Sequence, residues 1–296
     1  TTFGPSNLES MPKNLCLEST EGTRAMQLTQ EQKRFFETFG YLVLPGALKD
    51  EVGWITEEFE GVFRDRNVVH DGTKRSVIVP FIDQRERFCT LLDHPTVVGL
   101  MSGLIGEDFN YLGGDGNYYT GDTQWHSDGY HVIGRYLKVA LYLDPVTANT
   151  GCLRVIPGSH KPDMTQGWEA RQARNSLNLW GIEQSQVPAV ALESQPGDLV
   201  AFDHNLMHAA FGGSQRRRMF TLNGCAHCGT EAEIEELEKF IAGGARFWLD
   251  HTHSDIMRNT ASPERMRHLA QVMAHEGHLP ALSAKAKAEM AEPARG

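Results

Sequence analysis

The sequence predicts a mainly β protein with flanking helices, its strands closing into a sandwich or barrel. Three observations carry this. Between about residues 109 and 223, short apolar or alternating runs are separated by Gly, Pro, Asn and Asp, the texture of many short strands joined by turns. On both sides of that stretch the apolar spacing is helical. No internal repeat and no convincing linker divides the middle, and 296 residues give ample core for one large domain.

Each element has a local reason. Thr29-Gln-Glu-Gln32 has capping-box form and Gly40 stands where a helix would stop, so a first helix lies between them. Tyr41-Leu-Val-Leu44 reads as a short buried strand ended by Pro45-Gly46. Asp50 is placed to cap a second helix, whose Val52, Ile55, Phe59, Val62 and Phe63 share one face. A third helix is expected from Pro95 to Ile105. Strands are predicted at Phe109–Leu112, Asn117–Thr120, Thr123–Asp128, Leu137–Leu143, Leu153–Ile156, Val187–Leu192, Leu199–Phe202, Met207–Phe211 and Arg217–Asn223. The polar stretch from Lys161 to Gln186, marked by Trp168 and Trp180, interrupts them as a lid or insert. Ile234, Leu237, Phe240 and Ile241 then return to helical spacing, supported by Glu236 and Lys239 at i, i+3. Pro263 to His275 reads as another helix, and the last residues as a mobile tail. The expected organisation is a flexible arm over 1–26, a core domain with its N-terminal helices over 27–229, and a helical extension over 230–296 packing on that domain.

Composition excludes some functions. Lys and Arg number 28 against 38 Asp and Glu, a net charge of −10, which argues against a nucleic-acid partner. No apolar run approaches the roughly 18 residues of a membrane span. The first residues lack the basic-then-apolar order of a signal peptide. The 5 cysteines are odd in number and not spaced like a secreted scaffold, so reduced thiols and a cytoplasmic location are expected. Cys225-Ala-His-Cys228 has no second such pair to complete a four-ligand zinc site, and reads as incidental.

The 13 histidines are the chemical signal. In an extended segment i and i+2 face the same way, so Trp125-His126-Ser127-Asp128 presents an imidazole and a carboxylate side by side. The third ligand is expected to be His208, with His204 as its rival. Two histidines and one carboxylate leave coordination positions open and suit non-haem Fe(II). His160 reads as a turn residue, and His131 is close enough to the motif to line a pocket.

Four stretches together resemble the phytanoyl-CoA dioxygenase-like branch of the Fe(II)/2-oxoglutarate-dependent oxygenases. They are Leu28-Thr-Gln-Glu-Gln-Lys-Arg-Phe-Phe-Glu-Thr-Phe-Gly-Tyr-Leu-Val-Leu-Pro-Gly-Ala-Leu48, His126-Ser-Asp128-Gly, Leu141-Tyr-Leu-Asp-Pro with Gly151-Cys-Leu-Arg-Val-Ile-Pro-Gly-Ser-His160, and Gly197-Asp-Leu to His208 followed by Arg216-Arg-Arg-Met-Phe-Thr-Leu222. The resemblance covers about residues 27 to 225 and leaves the region after 230 unaccounted for. It implies a double-stranded β-helix (jelly-roll or cupin-like) core, with His126, Asp128 and His208 as the catalytic metal ligands. It also implies Fe(II), 2-oxoglutarate and O2 as cofactor and co-substrates, succinate and CO2 as by-products, and oxidation of an unactivated carbon of a small organic metabolite. Hydroxylation is favoured over halogenation, because the carboxylate ligand Asp128 is present.

The far carboxylate of 2-oxoglutarate wants a forked cation, for which Arg is suited. Arg217 and Arg218 are both possible: alternation turns Arg217 one way and Arg216 and Arg218 the other. Gln124, by sharing the face of His126, and Tyr142, on a central strand, are further co-substrate residues; Asn117 and Tyr118 are weaker ones. The competing readings are a cupin-like hydrolase or isomerase that needs no such arginine, and a catalytically silent binding module. Removal of residues 231–296 is expected to alter turnover more than iron binding, unless the tail is part of the structural core.

Overall fold

A computed structural model describes residues 26–163 and 169–294; nearly all of the predicted N-terminal arm, with Cys16, and Trp168 lie outside them. Helix α1 (Gln30–Phe39) begins at a complete capping box between Thr29 and Gln32 and ends at Gly40, whose φ is 81°. A side chain at Gly40 would also collide with the His160 ring, which sits in its own turn as the sequence predicts. Helix α2 (Val52–Asp65) carries the expected apolar face, but Glu51 occupies its N-cap and makes no side-chain cap bond, so Asp50 is not the cap. A short helix α3 (Glu86–Cys89) precedes α4 (Pro95–Ile105).

Two antiparallel sheets follow. The larger contains β1 (Tyr41–Leu44), β2 (Ser76–Ile78), β3 (Asn110–Tyr111), β4 (Gly116–Tyr119), β6 (Tyr136–Tyr142), β9 (Leu199–Asp203) and β11 (Arg217–Cys225). Their order is β1-β9-β6-β11-β4-β2, with β3 also paired to β11. The smaller holds β5 (Thr123–His126), β10 (His208–Ala210), β7 (Leu153–Val155) and β8 (Val190–Leu192), in that order. The strands are shorter than predicted at several ends, and β2 was not anticipated: three residues carry too little pattern to read. Mainly β, with helices against one sheet and a jelly-roll core, is the architecture.

The period of two decides what lies inside. Leu137, Val139 and Leu141 of β6 and Phe220 and Leu222 of β11 pack with α1, α2 and α4 on the outer face of the large sheet. Ala140, Tyr142 and Met219 point the other way, into the space between the sheets, where they meet Leu153 and Val155.

The stretch from Lys161 to Gln186 contains two short helices, α5 (Ala170–Arg174) and α6 (Ser176–Trp180). It is tied to the barrel by the Trp125 indole, which donates to the Gln184 carbonyl at 2.9 Å. The C-terminal region forms α7 (Glu231–Ala242), α8 (Asp255–Asn259), α9 (Pro263–His275) and α10 (Leu279–Glu289). The expected mobile tail is therefore wrong as far as Glu289: Leu279 and Ser283 are buried by α10. Met257 and Leu269 join the main core, and Leu237, Ile241 and Val272 pack against Leu112 and Tyr136 of the barrel. Side chains of these helices thus share hydrophobic clusters with the barrel.

Candidate metal centre

The neighbouring strands β5 and β10 bring the two histidines together. His126 and His208 are direct partners in the antiparallel register, with ring centroids 4.1 Å apart. Strand β5 stops at His126, so Asp128 is held by a different device: its N–H donates to the His204 carbonyl at 2.9 Å. The ligand atoms of His126, Asp128 and His208 all lie within 4.8 Å of one another, and no other such group of His, Cys, Asp or Glu occurs among the described residues.

Each imidazole is fixed in one tautomer. His126 Nδ1 faces the Gln124 carbonyl and His208 Nδ1 the Leu206 carbonyl, both at 2.8 Å. A carbonyl only accepts, so each Nδ1 carries the proton and each Nε2 keeps a lone pair for a metal. Those Nε2 atoms stand 3.9 Å and 3.6 Å from the Asp128 carboxylate oxygens. Burial pushes His208 down to about 3, and the neighbouring His126 adds to this. Burial by itself would raise Asp128; Lys138, then His208, His204 and His126, outweigh it and hold the carboxylate well below its usual range. Two neutral imidazoles and one ionised carboxylate form the donor set a divalent cation requires. Asp128 Oδ2 is buried, with the Lys138 ammonium 2.8 Å away as its ion-pair partner.

This centre opens into a cavity of about 680 Å³ between the sheets, within the range of small-molecule sites. Arg217 lies in it, 97% buried, with Nε and Nη1 lacking any hydrogen-bond partner. Side chains at Gly151 or Gly213 would overlap its guanidinium, so both glycines make room for it. Tyr119, its cross-strand partner, places a ring under the guanidinium at 5.1 Å. Tyr142 and Gln124 line the same cavity; Gln124 does so from an exposed position at its edge.

Arg218 is elsewhere. It faces the helix side of the sheet, where Asp144 and Glu60 saturate its guanidinium, and it does not line the cavity. The parity of β11 makes the choice. Tyr118 likewise points outward, bonded to Glu60 and ringed by Phe59 and Phe63. Asn117 faces inward but is engaged by Asp115 and Arg75. His131 stacks on Tyr136 at 3.6 Å and does not line the cavity; His204 does line it, fully buried, beside rather than among the three ligands.

Two residues escaped sequence reasoning. Lys138, on the inward face of β6, places Nζ 2.8 Å from Asp128 Oδ2. A single lysine among apolar neighbours in a central strand was the available signal. Asp115, half-buried, pairs with Arg75 at 2.9 Å and accepts from Asn117 and Thr221. Burial by itself would raise it; Lys138 and Arg75 reverse that.

Fold and donor set together define a jelly-roll metalloprotein of the two-histidine, one-carboxylate kind. The chain belongs to the phytanoyl-CoA dioxygenase (PhyH) family, whose sequence model matches residues 36–220, more than half of its length. That family comprises Fe(II)/2-oxoglutarate-dependent oxygenases. Among solved structures, the non-heme alpha-ketoglutarate-dependent carbocyclase SnoK from nogalamycin biosynthesis is similar at 21% identity and a TM-score of 0.55, over 70% of this chain and 87% of that one. HygX from Streptomyces hygroscopicus, solved with nickel and 2-oxoglutarate, gives 19% and 0.55 over 69% and 89%. EctD from S. alaskensis with bound Fe gives 23% and 0.53 over 71% and 79%. At these identities the likeness is one of fold. No curated protein matches the chain in sequence.

Proposed function

We propose that this protein is an Fe(II)/2-oxoglutarate-dependent dioxygenase that oxidises a small organic molecule, most simply by hydroxylating an unactivated carbon. In this reading His126, Asp128 and His208 hold the iron, as three donors with fixed tautomers and charge states. Iron at this site supplies the dioxygen-activating redox chemistry that side chains lack, with 2-oxoglutarate consumed to succinate and CO2.

The single observation that carries the reading is Arg217. A buried guanidinium with two unpartnered nitrogens, facing the cavity that the three ligands share, is costly unless a carboxylate completes it. A hydrolase or isomerase using the same metal would not require that cation. Tyr142 and Gln124 line the cavity that holds Arg217 and the three donors, and we assign them to orienting the co-substrate.

The test is equilibrium binding followed by turnover. Protein supplied with Fe(II), 2-oxoglutarate and O2 is expected to release succinate, and Asp128→Ala to bind iron much more weakly. Arg217→Leu is expected to weaken 2-oxoglutarate binding about 10–100-fold, the worth of charge-assisted hydrogen bonds, while metal affinity stays near wild type. Unchanged 2-oxoglutarate binding in Arg217→Leu would sink the assignment.

A further inference from the structure

The chain is acidic, yet its cavity is not. Six cationic side chains line it (Arg75, Lys138, Arg174, Arg217, Lys239 and Arg246) against two carboxylates, Asp115 and Asp128. A divalent metal and a 2-oxoglutarate dianion would cancel each other, so with Glu236, the partner of Lys239, counted as well, an excess of positive charge persists in the loaded site. The interior cations are spoken for: Arg75 by Asp115, Lys138 by Asp128, and Arg217 by the co-substrate in the reading above. Lys239 is held by Glu236 at 2.8 Å. Arg174 and Arg246 remain. Both are exposed as well as cavity-lining, which places them at its mouth, and neither has an acidic partner among the described residues. Arg246 lies over the Phe247 ring at 4.6 Å.

The apolar part of the mouth comes from the same place as Arg246. Phe240, Phe247, Leu249 and Leu279 line the cavity from the C-terminal helices and the turn between them. All of these lie beyond residue 220, where the family match ends. The catalytic end of the cavity is thus built by the shared barrel, and the outer end by this chain's own extension.

We propose that the primary substrate, in the oxygenase reading on which this inference rests, is a compact organic anion. Its carboxylate or phosphate docks on Arg246 and Arg174, and its apolar skeleton lies against Phe240, Phe247 and Leu249, pointing inward to the metal. The cavity volume limits it to a small molecule. Excess positive potential in a low-dielectric cleft favours an anion over its neutral analogue, and a guanidinium fork suits both carboxylate and phosphate.

The experiment uses full-length protein loaded with Ni(II) as a redox-inert metal and saturated with 2-oxoglutarate. Three probes of similar shape are titrated by calorimetry: 1-naphthoate, 1-naphthyl phosphate and neutral 1-naphthalenemethanol. At least one anion is expected to bind about tenfold or more tightly than the alcohol, and the better of the two identifies the headgroup. In the double variant Arg174→Gln, Arg246→Gln that preference is expected to vanish, with 2-oxoglutarate affinity unchanged. In Phe247→Ala all three probes weaken together. No binding of either anion, equal binding of anion and alcohol, or a preference that survives the double variant would overturn the proposal. Failure of the oxygenase reading is seen separately, as protein that does not bind 2-oxoglutarate in the presence of metal before any probe is added.

Discussion

In the proposed site, Lys138 and a divalent cation would compete for one carboxylate, that of Asp128. The ammonium stands 2.8 Å from Asp128 Oδ2, and at an effective dielectric near 20 two unit charges about 4 Å apart interact by about 4 kcal/mol. The main chain at Asp128 is held independently of the lysine, because its N–H donates to the His204 carbonyl. Lys138→Met is therefore expected to bind Co(II) or Fe(II) about tenfold more tightly than wild type, in an anaerobic metal titration. Weaker binding would mean that the lysine positions the carboxylate instead of opposing the metal. At this scale the ligands were legible and Lys138 was not. His126 and Asp128 announce themselves by spacing, whereas a lone lysine in a strand reads as solvent-facing until the strand's inner face is known.

Strand β11 shows what an element adds. Three consecutive arginines differ only in parity: Arg217 turns inward, while Arg216 and Arg218 meet Glu60 on the helix side. Burial alone would raise Glu60 and Asp144, but hydrogen bonds from Tyr118 and Arg218 to Glu60, and from Arg218 to Asp144, leave both below their usual values. Carboxylates depressed in the folded state bind fewer protons there than in the unfolded chain. Their contribution is complete above the unfolded values near 4 and is lost as pH falls through the folded ones. In thermal melts, wild type is expected to lose stability as pH drops from about 4.5 toward 2, and Arg218→Met to lose less over that window while starting lower at pH 7. An equal slope in both proteins would show that this cluster does not couple folding to protons. Alternation could separate Arg217 from its neighbours in the sequence; it could not say which side was the interior.

At the scale of the whole molecule, the C-terminal helices and the barrel share one core. Met257 and Leu269 are fully buried in the same cluster as Phe59, Phe88 and Phe220. Ser254 donates through Oγ to the Asp83 carbonyl, and Asp83 itself is fully enclosed next to His253 and Tyr111. Leu269→Ala is expected to cost about 2–5 kcal/mol and to lower the melting temperature of the entire protein in one transition. A separate early transition of the helices, with the barrel intact, would contradict a common core. Readable in the sequence were the β texture with flanking helices, the capped α1, the His126–Asp128 pair with His208 as candidate ligands, and the charge imbalance, because each is written in local spacing or composition. Tertiary structure alone decided that Arg217 and not Arg218 enters the cavity, that Lys138 meets Asp128, and that the last helices wall the site. Those outcomes depend on which face of each strand is enclosed and on contacts between segments distant in the chain, and no local pattern encodes either.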